Sequence, residues 1–299
     1  MTVNKSDNLN SEKVISKLAI GTAQFGLDYG ISNENGIVSE LHVAKILKIA
    51  SDHNIDTIDT AKVYGSSEKS IGIALKKQSH KKWNIITKIT NNEENIISQI
   101  QDSSNKLSIL PSIILAHSAD LFLNENFQDE LALARQKLMV KKVGVSIYFE
   151  NEIKNILDSP FTPDVIQLPM NILDTRLYRS GILALLYEKN IEIHVRSVFL
   201  QGLFYLDDRT INEKFNDAKN AIIRLKSIAK NAGLTLAEFS LLWVVSLIET
   251  SKVIVGIENE RQLKNHMSTL KKKVNHDAFK EALKIRYENK VLLNPLSWI

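Results

Sequence analysis

Eight short runs of β-branched and aliphatic residues recur along the chain, about 20–40 residues apart, with one longer interval before the last. They are "KLAIGT" (17–22), "DTIDT" (56–60), "NIITKI" (84–89), "SIILAH" (112–117), "KVGVSI" (142–147), "DVIQLP" (164–169), "IEIHVRS" (191–197) and "KVIVGI" (252–257). None alternates strictly between polar and apolar positions. Continuous apolar runs suit strands buried on both faces, so the pattern predicts a parallel sheet covered by helices.

Helical patterns fill the intervals. "SELHVAKILKIASDHNI" opens at a predicted N-cap, Ser39, and places Val43, Ile46, Leu47 and Ala50 on one face. "SGILALLYEKN" covers 180–190. "TLAEFSLLWVVSLIE" begins with Thr235 and Glu238 at capping-box spacing. The long interval, 205–251, is read as a polar loop and an additional helix, "DAKNAIIRLKSIAKNAG", stopped by Gly233. About eight strand–helix units in 299 residues predict an α/β fold of one domain, a (β/α)₈ TIM barrel over 17–299, behind a polar, flexible N-terminus over 1–16. A doubly wound dinucleotide fold would need G-x-G-x-x-G after a strand, and that spacing is absent.

Composition narrows the function. With 44% hydrophobic and 24% charged residues the chain can bury a full core. The net charge of +4 is scattered; its densest run, "LKKKV" at 270–274, reads as a solvated helix end, so no nucleic-acid footprint is expected. There are no cysteines, which removes disulfides, thiolate nucleophiles and cysteine-ligated metals. The histidines outside the strand ends (42, 53, 80, 194, 266, 276) lack metal-ligand spacing, so no metal site is expected. The N-terminus lacks an apolar signal core, and "LLWVVSLI" is far shorter than the ~20 residues of a membrane helix. These features lead to the expectation of a cytoplasmic protein without a membrane partner. Oligomeric state is not legible.

In a barrel the C-terminal strand ends converge on one mouth. The second strand ends in Asp59 with Tyr64 on its loop, the third carries Lys88, and the fourth ends in His117. An acid, a phenol, an ammonium and an imidazole would meet there. A nearby ammonium is expected to lower the phenol's pKa, with Asp59 holding Lys88 charged and His117 hydrogen-bonding a substrate oxygen. Such a group protonates a carbonyl oxygen during attack at carbon. Hydride attack needs a cofactor, since no side chain supplies hydride. A strand-end lysine could instead form a Schiff base, which leaves a lyase open.

The motifs "DTAKVYG" and "SEKSIGIAL", the lysine of "ITKI" and the histidine of "LAHSAD" resemble the aldo-keto reductase superfamily. "VGVSIY", "VIQLPMN", "SVFLQGLF", "AEFSLLW" and "VIVGIENERQL" follow in the family's order, so the resemblance runs from about residue 17 to 268. It implies a (β/α)₈ barrel that binds NADPH or NADH without a Rossmann fold and reduces a small-molecule aldehyde or ketone. It implies Asp59, Tyr64, Lys88 and His117 as the catalytic tetrad, with Tyr64 as general acid. For the nucleotide it implies Gly21 and Thr22 near the nicotinamide, Ser146 and Gln167 on the carboxamide, and Ser197, Phe199 and Gly202 around the pyrophosphate. Gly256, Glu258, Asn259, Gln262 and Leu263 match the loop after the eighth strand. Arg196 stands where many members carry an aromatic that stacks on the nicotinamide, so it either stacks or meets an anionic substrate. Ile147 replaces a frequent Asn. Asn265 and His266 replace a Glu-Asn pair near the adenine. Glu258 stands where a basic residue often meets the 2′-phosphate, and Arg261 is an alternative phosphate partner. "GTAQFGLDYGI" and "RSVFLQGL" are similar to a bacterial subgroup associated with surface-polysaccharide genes, which hints at a sugar-derived carbonyl. Phe25, Tyr29, Met170 and Trp298 are candidate substrate-pocket walls. A nucleotide-binding, redox-sensing regulatory subunit with little turnover is the other alternative.

Overall fold

The computed structural model describes residues 11–77, 82–91, 94–138, 140–207, 215–294 and 298. Eight strands pair in parallel and in chain order, and the last closes onto the first. They are β1 (Leu18–Gly21), β2 (Thr57–Asp59), β3 (Asn84–Ile89), β4 (Ile113–Ala116), β5 (Lys142–Ser146), β6 (Val165–Pro169), β7 (Glu192–Arg196) and β8 (Thr250–Gly256). All eight expected runs therefore form strands, and helices follow them around the outside. Most of the apolar side chains form one core between strands and helices. A second, small cluster of Ile86, Ile113, Leu115 and Val165 fills the barrel interior.

Strand alternation then fixes the direction of the chemistry-bearing side chains. Residues two apart share a face. Lys88 follows Ile86 inward, and His117 continues the inward row of Ile113 and Leu115 one step beyond β4. The His117 N–H extends the ladder by donating to the Ile89 carbonyl at 2.8 Å. Asp59 on β2 and Gln167 on β6 touch across the interior, at 3.0 Å.

The expected helix signals act where they were placed. Ser39 caps Glu40–Asp52 by accepting from the His42 N–H. Thr235 and Glu238 form a reciprocal capping box on Leu236–Ser246. The helix Asn216–Asn231 stops before Gly233, whose φ of +74° continues the chain in the left-handed region. The polar loop expected before it falls largely on 208–214, outside the described residues. At the N-terminus the expectation of loose chain through residue 16 is too long. Ser11–Ile15 is a short helix, and Val14 and Ile15 are buried because they cover apolar core that would otherwise face water. Among the described residues no single helix is long and apolar enough to cross a membrane.

One close approach seats the loop that carries Tyr64. A Cβ on Gly26 would fall 1.9 Å from the Tyr64 carbonyl oxygen and 2.4 Å from the Ser67 nitrogen. Gly65, at φ +54°, faces Gly26 in return. Three hydroxyls complete the seat. Thr22 Oγ1 donates to the Asp59 carbonyl at 2.9 Å, Ser67 Oγ donates to the Thr22 carbonyl at 2.9 Å, and Thr60 Oγ1 lies 3.1 Å from Ser67 Oγ. Gly26→Ala is expected to cost about 1–3 kcal/mol, since the clash is with backbone that must move. Calorimetry should show a lowered Tm together with impaired turnover; an unchanged Tm would mean that the loop yields without penalty.

Candidate active site

The centre of the mouth is a buried ion pair. Lys88 Nζ lies 2.6 Å from both carboxylate oxygens of Asp59 and donates to the Thr60 carbonyl at 2.9 Å. An ammonium has three N–H donors, so all three are used. Both side chains are almost wholly buried, at 1% and 4% exposure. Burial pushes the Lys88 ammonium down from its ordinary range, and the Asp59 carboxylate pulls it back through charge and hydrogen bond. Gln167 Nε2 adds a donor to the same carboxylate.

Tyr64 and His117 stand above this pair. The Lys88 ammonium is 5.1 Å from the centre of the Tyr64 ring. The Tyr64 and His117 rings meet edge to face, 6.3 Å apart at 76°. Burial pushes the Tyr64 phenol up, Asp59 pushes it further, and Arg196 pulls it down. This corrects the expectation that Lys88 lowers the phenol. Lys88 spends its donors on Asp59 and Thr60 and none on the phenol, while the Asp59 carboxylate acts on the phenol in the opposite direction. Tyr64 is therefore fully protonated at neutral pH. Burial, Lys88 and Arg196 push the His117 imidazolium down to about 3. His117 is a neutral ring there, with an N–H to offer.

The end of β7 contributes a second cation. Arg196 Nη2 donates to the Ile147 carbonyl at 3.0 Å, and its guanidinium lies 4.0 Å over the Tyr148 ring. The loop that follows is held in unusual backbone: Ser197, Leu200, Gln201 and Gly202 all have positive φ, from +48° to +97°. Three of these are not glycine, so the surroundings must enforce the shape. Asn171 Nδ2 donates to the Ser197 carbonyl at 3.0 Å, and Ser240 Oγ donates to the Val198 carbonyl at 2.8 Å. The β1 loop braces the other side, with the Ile31 N–H donating to the Gln201 carbonyl at 2.9 Å. Sequence reasoning missed Tyr148, Asn171 and Ser240. Asn171 ends the quoted "VIQLPMN", but nothing in a sequence says which carbonyl an amide will find.

Several expected nucleotide residues gather at the same end of the barrel. Ser146 and Gln167 pair across β5 and β6, both buried, and Gln167 Oε1 has no hydrogen-bond partner. Gly21 and Gly256 are register partners on β1 and β8. Gln24 lies where a Cβ on Gly256 would be, with its own Oε1 buried and unpartnered. Asn259 caps the helix Glu260–Thr269 by accepting from the Gln262 N–H, and Gln262 Oε1 accepts from the Glu258 N–H. Leu263 is buried beneath. Phe199 stacks on His266 at 5.0 Å and meets Tyr205 at 5.2 Å. Burial pushes His266 down to about 4 and leaves its Nε2 without a partner. Beside this cluster lies a groove of about 790 Å³ lined by Tyr205, Lys230, Asn265, His266 and Lys272, away from the tetrad.

The expected substrate walls divide. The Tyr29 phenol faces Tyr64, Arg196, Tyr148 and Gln201, and burial pushes it up to about 12. Phe25 and Met170 are fully buried members of the main apolar core, with no exposed surface to offer. Trp298 meets Phe215 edge to face at 4.7 Å and donates to the Leu292 carbonyl, so its known partners belong to packing rather than to the mouth. Ring surface at the mouth comes instead from Tyr29 and Tyr148, both only partly buried. Among the described residues no cluster of metal-ligating side chains occurs.

A model of the aldo/keto reductase family matches residues 17–286. Among solved structures, the chain is similar to the holo form of aldo-keto reductase AKR11C1 from Bacillus halodurans, at 19% identity, with 92% of this chain and 94% of that one covered and a TM-score of 0.75. It is also similar to the glycerol dehydrogenase AKR11B4 from Gluconobacter oxydans, at 20% identity, 90% coverage of each chain and a TM-score of 0.67. No curated protein sequence matches.

The buried pair has a direct test. Lys88→Met leaves the Asp59 charge uncompensated and is expected to destabilise by about 3–5 kcal/mol. Adding Asp59→Asn removes that charge and should restore much of the loss. Denaturant melts of the two variants decide it; equal stability of the single and double variants would show that Asp59 is not held as an anion.

Proposed function

Because the chain belongs to the aldo/keto reductase family, and is as such a nicotinamide-dependent oxidoreductase, we propose that Tyr64 is its general acid and that it reduces an aldehyde or ketone to an alcohol. The observation that carries this reading is the stack at the mouth: a protonated phenol and a neutral imidazole, set over the buried Lys88–Asp59 ion pair. A carbonyl oxygen placed between Tyr64 and His117 takes a hydrogen bond from each. As negative charge develops on that oxygen, the Tyr64 proton moves to it. Lys88 lies against the ring of Tyr64, and Asp59 keeps Lys88 in place.

The residues suit a nicotinamide. Gln167 presents a buried carbonyl oxygen without a donor, beside Ser146, which is what a carboxamide N–H₂ requires. Gly256 leaves room for Gln24, whose unpartnered Oε1 lies beside it. When bound, the reduced nicotinamide supplies the hydride. The strained loop Ser197–Gly202, with Phe199, would lie along the pyrophosphate, and the His266 groove would take the adenosine. The Schiff-base alternative is disfavoured, since Lys88 is buried with all three donors engaged. The rim carries polar tips from Tyr29, Tyr148 and Arg196, which suits a polar carbonyl compound such as a sugar derivative.

Tyr64→Phe removes only the proton donor and is expected to lower turnover by ~10²–10⁴-fold. Nucleotide titration should give nearly the wild-type affinity. Wild-type-like reduction of carbonyl compounds by the variant would remove Tyr64 from the chemistry.

The choice between nucleotides turns on Glu258. Burial and the facing Glu34 both push its carboxyl up, so two acids share this part of the rim. A 2′-phosphate ~4 Å from such a charge loses about 1 kcal/mol in water and about 4 kcal/mol at an effective dielectric of 20. A carboxylate can instead accept from a ribose 2′-hydroxyl. Weak discrimination or a tilt towards NADH is expected in fluorescence titrations of both reduced nucleotides. NADPH binding more than about tenfold tighter, with no further gain in Glu258→Arg, would shift the phosphate to Arg261.

A further inference from the structure

Arg196 ends β7 with its guanidinium fixed on three sides. Nη2 donates to the Ile147 carbonyl at 3.0 Å, Nη1 donates to Ser197 Oγ at 3.3 Å, and the plane lies on Tyr148. Five N–H donors less these two leave three for a ligand. The acids on the same interior face are committed elsewhere: Asp59 to Lys88, and Glu192 to Lys142 and His194. Among the described residues no carboxylate forms an ion pair with Arg196. Its charge nevertheless reaches Tyr64, Lys88 and His117, so it stands beside the reacting centre. A half-buried cation with no counter-ion and a pre-set planar fork is built for an anion that arrives from outside.

We propose that Arg196 receives an anionic oxygen group of the substrate, a carboxylate or a phosphate, and that the protein thereby selects anionic aldehydes or ketones over neutral ones of the same shape. This rests on the reductase reading of Tyr64. The anion is a spectator: the carbonyl carbon takes the hydride, the carbonyl oxygen takes the Tyr64 proton, and the nucleotide leaves oxidised. Tyr148 is a positioning residue that keeps the guanidinium flat.

Matched substrates test it. In the wild type, kcat/KM for succinic semialdehyde against butanal, or for glyceraldehyde 3-phosphate against glyceraldehyde, should favour the anionic member by about tenfold or more, the worth of one charge-assisted hydrogen bond. Which pair shows the preference separates carboxylate from phosphate. Raising ionic strength from about 0.01 M to about 1 M should erode the preference without any variant. Arg196→Gln should reduce it to within about twofold, and Arg196→Lys, which keeps charge but loses the fork, should fall between. No preference in the wild type, or a preference that survives Arg196→Gln, overturns the proposal. So does a loss of nucleotide affinity in Arg196→Gln equal to the loss of discrimination, since the guanidinium would then serve the nucleotide. If the wild type reduces neither member of any pair, the reductase reading is what fails. The anion site is then read by titrating succinate and inorganic phosphate against intrinsic fluorescence: saturable binding that Arg196→Gln abolishes supports it, and the absence of saturable binding overturns it.

Discussion

The mouth of this barrel is organised around one contact, the Lys88 ammonium between the two oxygens of Asp59. A buried carboxylate alone, or a buried ammonium alone, would cost several kcal/mol and would shed its charge. Together they are tolerated, and they set the electrostatic floor on which Tyr64 and His117 rest. The pair also spans the structure. Gln167 reaches it from β6, the Thr60 carbonyl closes it from the β2 loop, and the hydroxyl chain from Thr22 to Ser67 ties that loop to β1. Position and protonation state at the site are consequences of the same few bonds.

Above that floor the division of labour follows chain stiffness. The strand ends supply Asp59, Lys88 and His117, whose places are fixed by ladder register. Tyr64 comes from a turn, and it is as firm as the strands only because Gly26 and Gly65 let two backbones touch. The β7 loop holds three non-glycine residues at positive φ and is pinned by Asn171, Ser240 and Ile31. Strain of that kind persists only where surrounding bonds over-determine it.

The fold was legible because its signals are local: apolar runs of strand length, Ser39 and Thr235 as caps, Gly233 as a stop. That Asp59, Tyr64, Lys88 and His117 would come together was legible because barrel topology brings successive strand ends to one mouth whatever the intervening sequence. What failed needed the third dimension. The direction in which Tyr64 is shifted depends on where Lys88 spends its three protons, and that is a matter of contacts at 2.6–2.9 Å. Phe25 and Met170 looked like pocket walls by residue type and are buried in the core, while Tyr148, one residue beyond Ile147, carries the ring that supports Arg196. The role of Arg196 itself was undecided in the sequence, since stacking and anion binding ask for the same residue.

The buried histidines give the protein a floor in acid. His117, His194 and His266 are all kept neutral by burial, with His117 held to about 3 and His266 to about 4. In the unfolded chain each would titrate near 6.5. Above that value neither state binds the proton and folding is unaffected. Below it the unfolded chain takes up protons that the folded one refuses, and each such histidine withdraws up to about 1.4 kcal/mol of stability per pH unit until its folded value is reached. The same desolvation that readies His117 to donate a hydrogen bond thus ties the chain's survival to surroundings that are not strongly acidic.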